Sequence, residues 1–349
     1  MAGTRHLVDH KALRSFVSAI FAAKGMRPDQ AAMVAEVLVW ANLRGTDSHG
    51  VSRIPRYLAA MQRGHFNPQA EPEITPLSEA AFRMDCRFAA GAVAVRRALD
   101  EAIRRARTSG IACGLFTEST HTGAIGHYAE RGAEQGVIAI VIVTGAPNMA
   151  YHGAAAPSLA TAPIAIGVPN ADGRILLLDM ATGIVPIGRV RQALAEGKAI
   201  PLGWALDGDG KHTTDPAKAE ITLPLGGAKG SGLSLMFECL TGILGAKPIL
   251  ASSGTRRRGQ NGLVIAIDVA RFRPLADFMG DVGDLATAIK ALPRLPEVEE
   301  ILLPGERGAR QAEERSRKGI PIAPKSWAAL EEIARELGLA MPALQTLAQ

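Results

Sequence analysis

The 349-residue chain has few of the features that mark several common functional classes. Its three cysteines, Cys86, Cys113 and Cys239, lie far apart and form no C-x-x-C pair. Three such thiols cannot close a disulfide framework or make a thiolate zinc site on their own, so reduced thiols in a cytoplasmic protein are the plain reading. Aromatic residues make up 4% of the chain, too few for numerous stacking platforms for bases or sugars. No secretory signal is expected, because residues 1–11 are polar and no apolar run with a cleavage site follows. The stretch 135–171 has no Asp, Glu, Lys or Arg, but Pro147, Asn148, His152, Pro157 and Pro163 break it. Its continuous apolar part, 137–143, falls far short of the ~20 residues a membrane span needs, which argues for core and against a membrane partner. G-x-G-x-x-G is missing, since neither Gly208/Gly210 nor Gly230/Gly232 has a glycine three positions on. The segment 226–232, GGAKGSG, does not meet the P-loop order, and neither H-x-x-x-H nor a calcium-type loop occurs. No metal site is therefore expected, and a dinucleotide would have to bind without the usual strand–turn–helix cradle.

Hydrophobic residues at 47% and charged residues at 21% describe an ordinary globular chain. At ~150 residues per domain its length allows two domains, or one large one with an appendage. The net charge of +5 is modest, and basic residues are interleaved with acids. For the one dense basic run, Arg256–Arg258, a solvated loop is favoured over a phosphate contact, and no nucleic-acid partner is expected.

Hydrophobic periodicity organises the chain. Leu13, Phe16, Val17, Ile20 and Phe21 form one helical stripe that Gly25 ends. Pro28 opens a second helix with Met33, Val34, Val37, Leu38 and Ala41 on one side. A third is expected from Ser52, as its cap, to Gly64. Prolines 68, 72 and 76 mark a linker. Helix 91–107, strand 111–116, helix 126–135 and strand 137–143 follow, then apolar β-rich runs at 162–168, 175–180, 220–223 and 263–269. Residues 230–245 read as a buried helix and 327–337 as a final amphipathic one. No internal repeat is visible.

Five segments could carry chemistry. In RGTDSHGVSRIPRY (44–57), Asp47, Ser48 and His49 sit at a helix break between Gly45 and Gly50. His49, Arg53 and Tyr57 share a face if the third helix begins by His49; if Ser52 caps it, only the last two certainly do. A histidine can protonate a carbonyl oxygen, and an arginine one turn away can grip a carboxylate through two hydrogen bonds. The alternative is an N-cap with a surface His and Arg. HTGAIGH (121–127) lies between a strand and a helix and is either a cofactor loop or an ordinary turn. The charge-free loop 145–161, with Asn148, His152 and Thr161, is either a substrate pocket or a subunit contact. Lys229, entering an apolar helix, needs an anion partner. Leu303–Arg307 is a turn after an apolar strand, which turn chemistry alone explains.

Taken together, these segments resemble the malate/L-lactate dehydrogenases that are unrelated to the Rossmann-fold enzymes of similar name. RGTDSHGVSRIPRY, HTGAIGHYAERGAEQG (121–136), the T-x-P-I-A-I run from Thr161, LLLDMATG (176–183), GWALDGDGKHTTDP (203–216), PLGGAKGSGLSLMFECL (224–240) and LPGERG (303–308) recur in the family's order and span nearly the whole chain. The resemblance implies an α/β fold with a non-Rossmann mixed-sheet nicotinamide-binding core plus a helical domain formed by both chain ends. It divides the chain into residues 1–75, 76–309 and 310–349, the last packing on the first. It implies NAD or NADP as cofactor, a small 2-oxo or 2-hydroxy acid as substrate, and a homodimer with active sites near the subunit interface.

Position by position, His49 matches the proton-donating histidine, Ser48 the residue that assists it and Arg53 the carboxylate contact, with Tyr57 beside it on the substrate. In some members the histidine matching His121 holds the acid/base role instead. His121, Thr122, Gly123, Ala124 and Ile125 match a cofactor loop, as do Asp179, Met180 and Ala181. Thr161 and Lys229 match substrate or nicotinamide contacts, and Pro304, Gly305, Glu306 and Arg307 a turn over the cofactor. Departures are Thr161-Ala162-Pro163 for Thr-Asn-Pro, and Tyr151-His152-Gly153 near a usual Trp-Gly-Gly. Arg189 stands where cyclic-imino-acid reductases of the family carry an aspartate. That departure argues against imino-acid reduction; the alternatives to a 2-hydroxy acid dehydrogenase are a reductase of piperideine- or pyrroline-2-carboxylate and, in another class, a non-catalytic ligand-binding dimer.

Overall fold

The structure is a computed structural model that describes residues 6–247 and 259–345, so Arg256–Arg258 lie outside the described residues. The chain opens with β1 (His6–Val8), α1 (His10–Ala23), α2 (Pro28–Leu43) and α3 (Ile54–Gln62). Asp9 caps α1, its carboxylate accepting from the Lys11 and Ala12 amides at 2.9 Å each, and the stripe Leu13, Phe16, Val17, Ile20 and Phe21 is buried as its spacing requires. Pro28 takes the first turn of α2, where its missing N–H costs nothing.

Next come β2 (Glu73–Pro76), β3 (Ala81–Asp85), α4 (Gly91–Ser109), β4 (Ile111–Ser119), α5 (Gly126–Glu134), β5 (Val137–Thr144), β6 (Met149–Ala150), β7 (Pro157–Leu159), β8 (Pro163–Pro169) and β9 (Ile175–Ala181). Then follow α6 (Ile187–Ala195), β10 (Ala205–Leu206), β11 (His212–Thr213), β12 (Ile221–Thr222), α7 (Ala228–Glu238), β13 (Gln260–Asp268) and α8 (Leu275–Lys290). The chain closes with α9 (Glu306–Lys318), β14 (Ile320–Ile322) and α10 (Pro324–Leu337).

A seven-stranded sheet runs in the order β2-β3-β4-β13-β5-β8-β9. Only β3 and β4 pair in parallel, so the sheet is mixed and is not a doubly wound dinucleotide fold. Period-two alternation splits its side chains. Phe116, Val141 and Val264 join the main core, on the face packed by α4 and α5, while Leu115, Ile142 and Leu263 meet Phe237 of α7 on the other. The short strands 149–150, 157–159, 205–206, 212–213 and 221–222 form a second, five-stranded sheet, so the charge-free loop 145–161 is partly β structure. The chain ends meet: β1 pairs antiparallel with β14, and α10 packs on α1 and α3.

Four local expectations need correction. The third helix does not start at Ser52. Two 3-10 turns, Asp47–His49 and Val51–Arg53, precede α3, and the Ser52 hydroxyl donates to the Asp47 carbonyl (2.8 Å) instead of capping a helix. His49, Arg53 and Tyr57 therefore do not lie on one regular helical face. Residues 230–245 are helical but not buried throughout. The small and polar Ser231, Ser234 and Thr241 face the core, while Leu233, Met236, Leu240, Ile243 and Leu244 face outward. The Pro304-Gly305 turn follows irregular chain, not a strand, and leads into α9, with Gly305 at φ +88° as its N-cap. Lys229 is exposed, so burial creates no need for an anion partner, and it makes no ion pair with any described residue.

Candidate active site

The site is assembled from the helix breaks. Asn42, at the end of α2, organises the Asp47–Arg53 segment: its Oδ1 accepts from the Val51 amide (2.8 Å) and its Nδ2 donates to Asp47 Oδ1 (2.7 Å). Arg315 of α9, only 9% exposed, donates from Nη1 and Nη2 to the two carboxylate oxygens of Asp47, at 2.7 and 3.3 Å, and from Nη1 to the Asn42 carbonyl. The tightly wound turn then presents Ser48 and His49 side by side, with Ser48 Oγ 3.0 Å from His49 Nδ1. Arg53 Nε donates to the Ser48 carbonyl (2.6 Å). The rest of the Arg53 guanidinium has no acidic partner among the described residues, and two other cations, Arg56 and Arg191, act on it.

His121 comes from the opposite side, just beyond β4. Its ring stacks on that of His49, with centroids 5.5 Å apart and planes inclined by 27°. The buried Tyr57 reaches up from α3 so that its hydroxyl lies 2.7 Å from His121 Nδ1. Ser48, His49, Arg53, Tyr57 and His121 thus form one cluster. Burial disfavours an added charge here. It lowers the His49 pKa to about 4, helped by the positive field of Arg53, and lowers that of His121 well below its ordinary value, with Arg53 and His49 adding to the effect.

The loop 122–125 leads from this cluster into α5. Thr122 is held by its amide to Gln260 Oε1 (2.9 Å) and by its carbonyl, which accepts from Tyr128 (2.7 Å). Gly123 adopts φ +76°, which favours glycine. The side chains of Ala124 and Ile125 are buried and fix the loop, so only its backbone is offered outward. At the α5 start, the Gly126 amide donates to Asp179 Oδ2 (3.1 Å) at the end of β9. Surrounding protein raises the Asp179 pKa to about 6, against the Gly126 hydrogen bond and the charge of Arg44. Asp179 is also exposed to solvent, which screens part of that desolvation.

The segment 179–188 threads past several of these pieces. After Asp179, Met180 and Ala181 pair with Ile164 and Pro163; Thr182 accepts from the Leu225 amide (2.8 Å). A Cβ on Gly183 would lie 2.8 Å from Thr161 Cγ2, and one on Gly188 would lie 3.1 Å from Ser48 Cβ. Thr161 is thereby packed against the strand end, its amide donating to Asn148 Oδ1 (2.8 Å). The turn 304–307 sits on the same strand: the Pro304 carbonyl accepts from Leu177 (3.1 Å) and the Gly305 carbonyl from Arg44 (2.9 Å). Glu306 faces Lys290 (2.5 Å) and the Leu303 amide (2.9 Å), and so braces the turn from behind. Arg307 and Lys229 have no hydrogen bond or ion pair to the histidine cluster among the described residues. Sequence reasoning missed Arg315, Asn42, Gln260 and Arg191. Of these only Asn42 left a trace, as an amide just before a helix break.

Comparison with known proteins decides the family. The model of the malate/L-lactate dehydrogenase family matches residues 8–331. The chain belongs to the malate/L-lactate dehydrogenase family. Relatives of this dehydrogenase include a malate dehydrogenase of Pyrococcus horikoshii, 35% identical over 340 residues, covering 94% of either chain. The solved structure of sulfolactate dehydrogenase from Methanocaldococcus jannaschii superposes with a TM-score of 0.88 at 33% identity, covering 96% of this chain and 98% of the other. That of a Δ1-piperideine-2-carboxylate reductase from Pseudomonas syringae pv. tomato gives 0.83 at 30% identity, covering 94% and 99%. The mixed-sheet, non-Rossmann fold expected from the sequence is the fold of this family, and this dehydrogenase is an oxidoreductase whose family implies a nicotinamide cofactor.

Proposed function

We propose that this enzyme transfers a hydride between NAD or NADP and C2 of a 2-hydroxy/2-oxo acid, with a preference for acids carrying a second anionic group. The observation that carries the reading is Arg53. It is a half-buried guanidinium beside two histidines, with no acidic partner among the described residues, and with Arg56 and Arg191 adding positive field. Such a pocket favours a planar carboxylate, and a second anion gains from the extra cations. His49 exchanges the proton on the substrate oxygen, Ser48 orients its ring, and Thr161 lines the pocket wall. Lys229 is assigned to the substrate or nicotinamide amide from the family pattern alone.

The residues present fit a nicotinamide dinucleotide. The fixed loop His121–Ile125 offers backbone, Asp179 offers an accessible carboxylate to a sugar hydroxyl, and the turn Pro304–Arg307 flanks the strand that carries Asp179. Bound there, the nicotinamide would donate or accept the hydride.

The apolar stripe Leu233, Met236, Leu240, Ile243 and Leu244 supports a homodimer, since leucines turned out of a helix whose polar side is buried need a partner surface. The free, separated thiols suit a reducing cytoplasm.

The test is a fluorescence titration with NADH and NADPH, followed by turnover of malate, sulfolactate, lactate and ureidoglycolate and of the cyclic imino acids. Highest kcat/KM on a dianionic acid supports the reading. Exclusive turnover of piperideine- or pyrroline-2-carboxylate would replace it with the reductase reading, which similarity to the Pseudomonas enzyme favours. Binding of neither nucleotide would leave a non-catalytic dimer.

A further inference from the structure

Two histidines face each other in the cluster, and the structure distinguishes their duties. His121 Nδ1 has two neighbours, the Tyr57 hydroxyl at 2.7 Å and the Gly123 amide at 3.2 Å. An amide N–H can only donate, so Nδ1 must present its lone pair, and the Tyr57 hydroxyl then donates to the same nitrogen. A neutral imidazole carries one N–H, which is left on Nε2. Adding a second proton at Nδ1 would point it at the Gly123 N–H and would force Tyr57 to turn its hydroxyl away. Burial opposes the same protonation. His49 is held differently. Its Nδ1 meets a hydroxyl, Ser48 Oγ at 3.0 Å, which can accept as readily as donate. That ring is free to carry its proton on Nδ1 and to expose a basic Nε2.

We propose that Tyr57 is a positioning residue which, with the Gly123 amide, locks His121 as the Nε2–H tautomer, so that His121 acts only as a hydrogen-bond donor to the substrate oxygen and His49 alone exchanges the proton. In the oxidative direction the hydroxyl proton passes to His49 Nε2. A bound oxidised nicotinamide would take the C2–H electron pair as hydride, leaving the C2–O bond as a carbonyl. His121 keeps its proton throughout and stabilises the negative charge that develops on oxygen. The donor duty rests on the dehydrogenase reading above; the tautomer does not.

Long-range 1H–15N correlation of the uniformly labelled protein, without added ligand, reads the tautomer directly. The chain has eight histidines, and His121→Gln identifies the relevant signals by their loss. The expected spectrum has an unprotonated Nδ1 and a protonated Nε2 for His121. Tyr57→Phe keeps the ring packed against Phe21 and Phe66, so the fold is retained. Left with only the longer Gly123 contact, His121 should stay mainly the Nε2–H tautomer, and kcat should fall by about 10-fold as the ring loses an orienting hydrogen bond. His121→Gln, which keeps a donor, should retain the pH dependence of kcat/KM, and His49→Gln should abolish it. A protonated Nδ1 in the unmodified protein overturns the proposal. So does a pH profile that survives in His49→Gln and vanishes in His121→Gln. If the expected tautomer is found while no hydroxy or oxo acid is turned over, the functional reading falls and the tautomer stands.

Discussion

Replacing Arg315 by methionine tests whether a residue in the last quarter of the chain sets the proposed proton-transfer turn. The arginine is buried and makes three hydrogen bonds, two to Asp47 and one to the Asn42 carbonyl. Losing one partner of a fully buried pair costs about 3–5 kcal/mol. The Asp47 side chain is 46% exposed, so its carboxylate rehydrates and that cost shrinks. An orphaned carbonyl adds about 1 kcal/mol. We expect a net destabilisation of about 2–3 kcal/mol, or about 4–6 °C in Tm at about 2 °C per kcal/mol. Catalysis should suffer more. Asp47 immediately precedes Ser48 and His49, and a misplacement of about 1 Å costs about 100-fold, so kcat should fall about 10- to 100-fold. NADH affinity, read by fluorescence, should stay within about twofold. Asp47→Asn should reproduce the effect, and the double variant should be little worse than either single one. Additive losses would mean that the pair does not act as a unit. An unchanged kcat in Arg315→Met would show that the turn holds its shape without this anchor.

Three further outcomes follow from the same geometry. Arg53→Lys should raise KM for the acid at least 10-fold with little change in cofactor affinity, because a point charge cannot reproduce the guanidinium fork; an unaltered KM would move the carboxylate site elsewhere. Met236→Glu, on the outward stripe of α7, should convert the proposed dimer to a monomer in light scattering, whereas a dimer that persists would place the interface on another face. Acid should destabilise the protein: burial lowers the pKa of His127 to about 4, as it does that of His49, so the unfolded chain binds more protons than the native one between pH 6.5 and about 4. Stability then rises with pH through that window, by up to about 3 kcal/mol for the well-buried His127, and His127→Gln should flatten the Tm–pH curve there.

The fold was legible where periodicity and punctuation agree. The stripe from Leu13 to Phe21, Pro28 at the head of α2 and the runs that became β5, β8 and β13 all combine hydrophobic spacing with a clear end signal. The strand order was not legible, because β13 enters between β4 and β5 from more than a hundred residues away and no local feature encodes that. The α7 segment misled for a different reason. Its leucines read as core, but the core side is chosen by close packing. Ser234 donates to the Ala160 carbonyl at 2.8 Å, and Gly230 lies so near the Thr182 carbonyl that a Cβ would come within 2.5 Å of it. Small residues therefore turn inward and large ones outward. At the site, Ser48, His49, Arg53, Tyr57 and His121 stood out through chemistry and family pattern. Arg315 did not, since it lies among the charged residues of ERGARQAEERSRK (306–318), where an arginine normally signals only solvent.

That concealed arginine bears on why both chain ends build one body. The turn carrying His49 has two 3-10 windings in place of an α-helix, so its own backbone hydrogen bonds cannot fix it well. Its rigidity has to come from outside, through Asn42 on one side and Arg315 on the other. Arg315 is placed by α9, whose first residues form the Pro304–Arg307 turn beside the Asp179 strand and whose end runs into β14, paired with β1. One 13-residue helix therefore spans from the proposed cofactor turn to the proposed proton-transfer turn. We expect a displacement of either end to be felt at the other, because a helix is stiff over this length and both ends are tied by hydrogen bonds from arginines, Arg44 to the Gly305 carbonyl and Arg315 to Asp47. If cofactor binding orders the Gly305 turn, it should tighten the Asp47–Arg315 contact. Hydrogen exchange of the Ser48 and His49 amides should then slow on adding NADH to the native enzyme, and that slowing should be lost in Arg315→Met although the nucleotide still binds. Equal protection in both proteins would show that the two turns are independent and that α9 only fills space between them.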